Sequence, residues 1–231
     1  LKALQDFKEL PKVKRHDLFE TFVEYKSYPK YSTLEALLNT VALQLPIIII
    51  GFFLIGPVVG FLYLAMRILG IPMSLIGSSM GQVYVAQGSK IYESKGDLYS
   101  FTISILKKLF KITLMPFLFL AILSPFLFGF ILGESWGQIG WYISLMVPWY
   151  FMHILTSPLS MSLHIIGKQK VALFLQIFNL ILRVILLLGI CFYNKNIAIE
   201  FYFFSGFIFY VIYLSMILRF LKNERCVDDI V

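Results

Sequence analysis

The chain is poor in charge and in sulfur. Only 14% of its 231 residues are charged and two are cysteine, whereas 59% are hydrophobic and the mean hydropathy is +0.82. Ordinary soluble domains carry about 25% charged residues, so this balance points to an integral membrane protein. Cys191 and Cys226 belong to opposite ends of the apolar layout described below. An internal disulfide is therefore not expected, and neither cysteine has the neighbours of a metal-ligand set. No signal peptide precedes the first apolar run, which is too long for an h-region. The chain opens on Leu1, not methionine, and further sequence is expected ahead of it. The sequence also lacks a nucleophile–base pair, metal-ligand spacing and a glycine-rich phosphate loop in its polar segments, so neither an enzyme nor a cofactor is expected.

What the chain has instead is six long apolar runs, at about 33 to 55, 58 to 86, 109 to 132, 138 to 166, 169 to 192 and 197 to 218. Each is long enough to cross ~30 Å of hydrocarbon at ~1.5 Å per residue. Of the 20 lysines and arginines, 17 fall before the first run, in every second gap, or after the last, while the remaining gaps carry only Lys195. By the positive-inside rule both ends are cytoplasmic. The expected fold is an all-α membrane protein of six transmembrane helices. The net charge of +7 is read as topology and attraction to anionic lipid, with nucleic acid excluded as a partner.

Three segments follow. Residues 1 to 32 form a basic cytoplasmic stretch, in which Asp17 and Glu20 resemble the start of a short interfacial helix. Residues 33 to 218 form the bundle, and 219 to 231 a cytoplasmic tail. Gly56-Pro57 marks a tight outer turn, and a polar cytoplasmic loop is expected over 87 to 108. Trp136 and Trp141 suit an interfacial aromatic belt. Six prolines, at 46, 72, 116, 125, 148 and 158, lie inside the runs, where each removes a helical hydrogen bond and favours a bend.

Polar residues inside the runs are the best indicators of a site, because each is costly in lipid. In the fifth run Gln176, Asn179 and Arg183 fall at i, i+3 and i+7, on one helical face. In the fourth, His153, Ser157, Ser160 and His164 form another stripe. The first run pairs Glu35 with Asn39 and Thr40 with Gln44, and the second carries Arg67, Gly70, Ser74, Ser78 and Gln82. Arg67 and Arg183 are the two basic residues that the topology rule leaves unplaced. Each stands nine residues from the outer end of its run, roughly 14 Å deep. An arginine near a helix centre costs ~2.5–3.5 kcal/mol on the insertion scale. Three readings account for that cost: a shared anion-binding site, pins made to main-chain carbonyls or a distant carboxylate, or snorkelling to the surface. Gln176, Asn179, Gln44 and Asn39 extend the candidate binding set. Glu35, His153 and His164 are candidates for proton or ion coupling, with helix-start and interhelical hydrogen-bonding roles as the structural alternatives.

The stretch Tyr28-Pro29-Lys30-Tyr31-Ser32-Thr33, running through Leu34-Glu35-Ala36-Leu37-Leu38-Asn39 to Gln44-Leu45-Pro46, resembles the second half of bacterial polysaccharide flippases. So do Gly56 to Arg67, Pro72-Met73-Ser74-Leu75-Ile76-Gly77 and Gln82-Val83. These flippases belong to the multidrug, oligosaccharidyl-lipid and polysaccharide exporter superfamily, and the resemblance is specific over about 28 to 90. It implies two lobes of six helices around a cavity, this chain being the C-terminal lobe and a six-helix N-terminal lobe its partner. It implies a place in the bacterial cytoplasmic (inner) membrane and transport of an undecaprenyl-pyrophosphate-linked oligosaccharide across it by alternating access. Arg67 lies within the resembling stretch; Arg183 rests on periodicity and depth. A multidrug exporter of the same superfamily is the nearer alternative, though its cavities favour acidic groups. A membrane polysaccharide polymerase is the enzymatic alternative, though it would need a larger outer loop.

Overall fold

The computed structural model describes residues 27–54 and 56–228. The expected interfacial helix after Asp17 lies outside the described residues. Among the described residues seven α-helices follow one another: α1 (Ser27–Phe53), α2 (Val58–Glu93), α3 (Leu98–Leu132), α4 (Gly137–Leu159), α5 (Met161–Ile165), α6 (Gln169–Asn194) and α7 (Ala198–Asp228). Single 3-10 turns, Glu134–Trp136 and Lys195–Ile197, precede α4 and α7. No strand occurs among the described residues.

Each apolar run coincides with one long helix, except that the fourth is interrupted. Four stretches are long and apolar enough to cross a membrane: Tyr31–Phe53, Val58–Glu93, Leu98–Leu132 and Gln169–Arg225, the last taking in both α6 and α7. Their outward side chains include Phe52 and Phe130, each 89% exposed, a surface suited to lipid and not to water. The protein is therefore a multi-pass membrane protein. α4 stands apart from these four. Its tryptophans, tyrosines, prolines and histidine dilute its apolar content, and it occupies the middle of the bundle, packed on α2, α3 and α7. A helix shielded by neighbours can carry polar groups that a lipid-facing helix cannot. α1 packs chiefly on α6, which in turn meets α7.

The tightest helix contact joins α3 to α4. Gly140 is fully buried, and a Cβ added there would fall on the main-chain carbonyl of Ser124. Ser124 Oγ donates to the Gly140 carbonyl at 2.9 Å, and Ser144 Oγ to the Ala121 carbonyl at 2.5 Å. Small residues thus let two backbones touch, as membrane helices use them to do.

At one end of the bundle, Gly56 (φ +120°) and Gly133 (φ +96°) allow short reversals, and Phe53–Phe192 and Phe61–Trp136 ring pairs bridge the helix tips. Trp136 and Trp141 are both exposed there. Lys90, Lys95, Lys168, Lys170, Lys222 and Arg225 lie at the opposite end. The expected loop over 87 to 108 is reduced to Ser94–Asp97, because α2 runs on to Glu93 and α3 begins at Leu98. The sequence carries a helix start that explains this. Asp97 caps α3 by accepting from the Ser100 amide at 3.0 Å and the Ser100 hydroxyl at 2.6 Å. The tail expected beyond 218 is likewise a continuation of α7, anchored by Arg225–Asp97 (3.4 Å) and Lys168–Glu224 (3.2 Å) ion pairs.

The Ser100 hydroxyl and amide hold the Asp97 carboxyl below the usual carboxylate range, with the Arg225 charge adding to the effect. A carboxyl lowered in the folded state contributes stability above its unfolded value and loses it as pH falls through the folded one. Asp97→Ala is therefore expected to cost about 1 kcal/mol at neutral pH, the usual loss for a cap. Its thermal unfolding temperature should converge with that of the wild type as pH falls below the carboxylate range. A constant gap across pH 3–7 would show that the cap's charge contributes nothing.

Candidate functional site

The polar stripes of α4 and α6 face inward and meet across a cavity of about 470 Å³. Its walls come from α1, α2, α4, α5, α6 and α7, and include Glu35, Asn39, His153, His164, Gln176 and Tyr213. The interruption after Leu159 is slight. Ser160 stays in helical geometry (φ −59°, ψ −26°), its amide donating to the Thr156 carbonyl at 2.9 Å and its Oγ to the Ser157 carbonyl at 2.8 Å, and α5 resumes at Met161 with His164 lining the same cavity. The stripe from His153 to His164 therefore survives, but on two helices.

His164 bridges α5 to the start of α1. Its Nε2 lies 3.0 Å from Glu35 Oε2, an ion-pair contact without hydrogen-bond alignment, and its Nδ1 lies 3.3 Å from Ser32 Oγ. His153 is buried and stacks on Tyr210 of α7, with ring centroids 4.2 Å apart. Gln176 is 5% exposed, and its side chain lies beside the Tyr213 hydroxyl, with no well-aligned hydrogen bond at Oε1.

Further along α6, away from Gln169, Asn179 and Arg183 continue the inward face, 2% exposed each. Arg183 lies between two rings: its Cζ is 4.6 Å from the centre of Trp149 and 4.5 Å from that of Tyr202. Nη2 donates to the Tyr202 carbonyl at 3.3 Å, while Nε and Nη1 have no partner. Among the described residues no carboxylate pairs with it. The main-chain contact expected of a helix pin is present, and burial leaves no room for snorkelling. What the sequence could not indicate is the aromatic box, in which a cation gains from two ring faces at once. Trp149 is itself held tightly, since a Cβ on Gly206 would lie 2.6 Å from its indole.

Arg67 and Arg183 are not brought together. Arg67 is exposed on α2, with its Nε donating to the Tyr63 hydroxyl at 3.0 Å and its Cζ 5.4 Å from that ring. Ser74, Ser78 and Gln82 share its exposed side, and Gln44 is exposed on α1. The candidates therefore divide into an enclosed group (Glu35, Asn39, His153, His164, Gln176, Asn179, Arg183) and an outward group (Arg67, Gln44). Gly77, Ser78, Gly81 and Gln82 line a second hollow of about 630 Å³ on that outward side, which shares Val85, Ser157 and Met161 with the first.

Sequence reading missed the contribution of α7. Tyr202, Gly206, Tyr210 and Tyr213 fall at helical spacing on one buried face. That periodicity is visible in the sequence, but tyrosines in an apolar run carry no charge to attract notice.

A family model described as "Polysaccharide biosynthesis protein" matches residues 11–140, from ahead of α1 to the start of α4. No curated protein and no solved structure matches the chain.

Proposed function

The chain belongs to the polysaccharide biosynthesis protein family, and from that premise we propose that it serves polymer export as a flippase for an undecaprenyl-pyrophosphate-linked oligosaccharide. It acts as a transporter and not as an enzyme, in a bacterial cytoplasmic membrane that it crosses six times with both ends in the cytoplasm. The observation that carries this reading is the outward polar face of α2. Arg67 and Gln82 stand exposed on a helix long and apolar enough to span the bilayer, beside Ser74 and Ser78, whose hydroxyls donate to the helix's own Ile71 and Ser74 carbonyls at 2.9 and 2.6 Å. Polar groups at membrane depth face protein or a watered cavity, because lipid offers them no partner. A second six-helix lobe opposite this face would enclose a route in which sugars and pyrophosphate stay hydrated while the polyprenyl tail remains in lipid. The two lobes would rock to open that route to each side in turn.

Arg67 supplies the positive charge on this route, and guanidinium matches phosphate oxygens in pairs. The connections at the end away from the basic residues are short turns, which favours transport over polymerisation by a large outer loop. Arg67→Ala in the full-length protein should reduce surface polysaccharide at least 10-fold. Lipid-linked repeat units should then collect on the cytoplasmic leaflet, with Arg67→Lys restoring part of the output. Normal polymer from a well-expressed Arg67→Ala variant would remove the arginine from the transport route.

A further inference from the structure

We propose that the cavity between α1, α4, α6 and α7 is a saccharide subsite, taking one sugar ring of the cargo in a place separate from its pyrophosphate. The inference rests on the export reading above. Among the buried polar atoms of cavity-lining residues, His153 Nδ1 has no partner, and Tyr213 OH and Gln176 Oε1 have each other and Ser160 as polar neighbours without a well-aligned hydrogen bond. A fourth, Glu35 Oε2, has only its ion-pair contact with His164. Buried polar groups are rarely left poorly matched, so one atom without a partner and three with poorly aligned ones beside a single hollow point to an occupant that brings hydrogen bonds.

The chemistry of the walls narrows that occupant. An amide, a phenol and an imidazole can each donate or accept, and the carboxylate accepts. Hydroxyl groups, which do both, answer such a set. Neither lysine nor arginine lines the cavity, so a pyrophosphate would find no balancing cation apart from His164, which Glu35 already engages. Arg183 is turned to Trp149 and Tyr202 instead. The stacked His153–Tyr210 pair supplies a wall of aromatic carbon and hydrogen, against which the C–H bonds of a pyranose can pack. The volume of about 470 Å³ lies within the ~300–1,000 Å³ typical of small-molecule sites. Sugar selectivity would then arise inside this half of the molecule, from atoms on four helices, while the charged part of the cargo is handled on the outward face of α2.

The test uses full-length protein in detergent micelles and saturation-transfer NMR with the methyl glycosides of glucose, galactose, N-acetylglucosamine and rhamnose. At least one glycoside should receive saturation on its ring protons. Tyr213→Phe, which removes one oxygen, and Gln176→Leu, which keeps volume, should each weaken its binding about 3- to 10-fold, the usual effect of one neutral hydrogen bond. Both are mild enough to fold, and size-exclusion elution checks that they do. No transfer to any of the four glycosides, or transfer unchanged in both variants, would overturn the subsite. Surface polymer measured in cells carrying the same protein separates the two claims. Polymer export without glycoside binding removes the subsite alone, whereas no dependence of polymer on the gene removes the export reading.

Discussion

Arg183→Met should abolish export without lowering thermal stability. The guanidinium is 2% exposed and has one hydrogen bond, two ring faces, and two nitrogens without partners. Burying an ion costs several kcal/mol, and each unmatched buried donor adds ~1–3. Against this stand ~1.5–3 kcal/mol for the bond to the Tyr202 carbonyl and about 2 for each ring. The two sides come out close to equal. Methionine fills a similar volume between Trp149 and Tyr202 with no charge to desolvate, so the unfolding temperature should stay level or rise. On the export reading proposed above, a charge that contributes little to stability here acts in another state of the cycle. If Arg183→Met instead unfolds the protein by more than about 2 kcal/mol, the arginine is a helix pin and its loss from export is indirect.

The second large effect is structural. Gly140→Val should prevent the bundle from assembling, because even a single added carbon would meet the Ser124 carbonyl. A flexible side chain could move aside, but a main-chain carbonyl within α3 cannot without separating α3 from α4. That separation would also break the Ser124–Gly140 and Ser144–Ala121 hydrogen bonds. Overpacking in a core usually costs ~1–3 kcal/mol, and more where backbone must shift. The expected result is loss of monodisperse protein on extraction. Gly189→Val is the control: a Cβ there meets nothing within 4 Å, so this variant should extract normally. Equal behaviour of the two variants would mean that the α3–α4 contact is not as close as described.

Much of this architecture was legible in the sequence, because hydrocarbon imposes a length on every crossing and charge avoids it. Five of the six apolar runs each fell on one long helix, and the fourth on α4 and α5. The inward stripes of α4 and α6 were found from spacing alone, since Gln176, Asn179 and Arg183 can only share a face if the helix is regular. Helix ends were less legible. α2 and α3 continue beyond their apolar parts, where hydropathy falls silent, and the Asp97 cap is a signal of two residues. The pairing of helices was not legible at all. Equal depth suggested that Arg67 and Arg183 share a site, but depth fixes only one coordinate. The side of the helix relative to its neighbours separates them, and that depends on which helices pack together. The aromatic box around Arg183 and the tyrosine wall of the cavity were missed for the same reason. Each is assembled from α4, α6 and α7, and none of those segments announces its partners.

Transport itself can be measured in vesicles. Full-length protein reconstituted into liposomes would be supplied with a fluorescent oligosaccharide on a pyrophosphate-linked polyprenyl carrier, and a membrane-impermeant glycosidase would report the fraction of sugar exposed outside. The account predicts that protein-containing vesicles expose cargo initially shielded inside, at a rate well above that of protein-free vesicles, and that Arg67→Ala and Arg183→Met each slow it at least 10-fold. Equal exposure with and without the protein, under an imposed proton or sodium gradient of either sign, would contradict it.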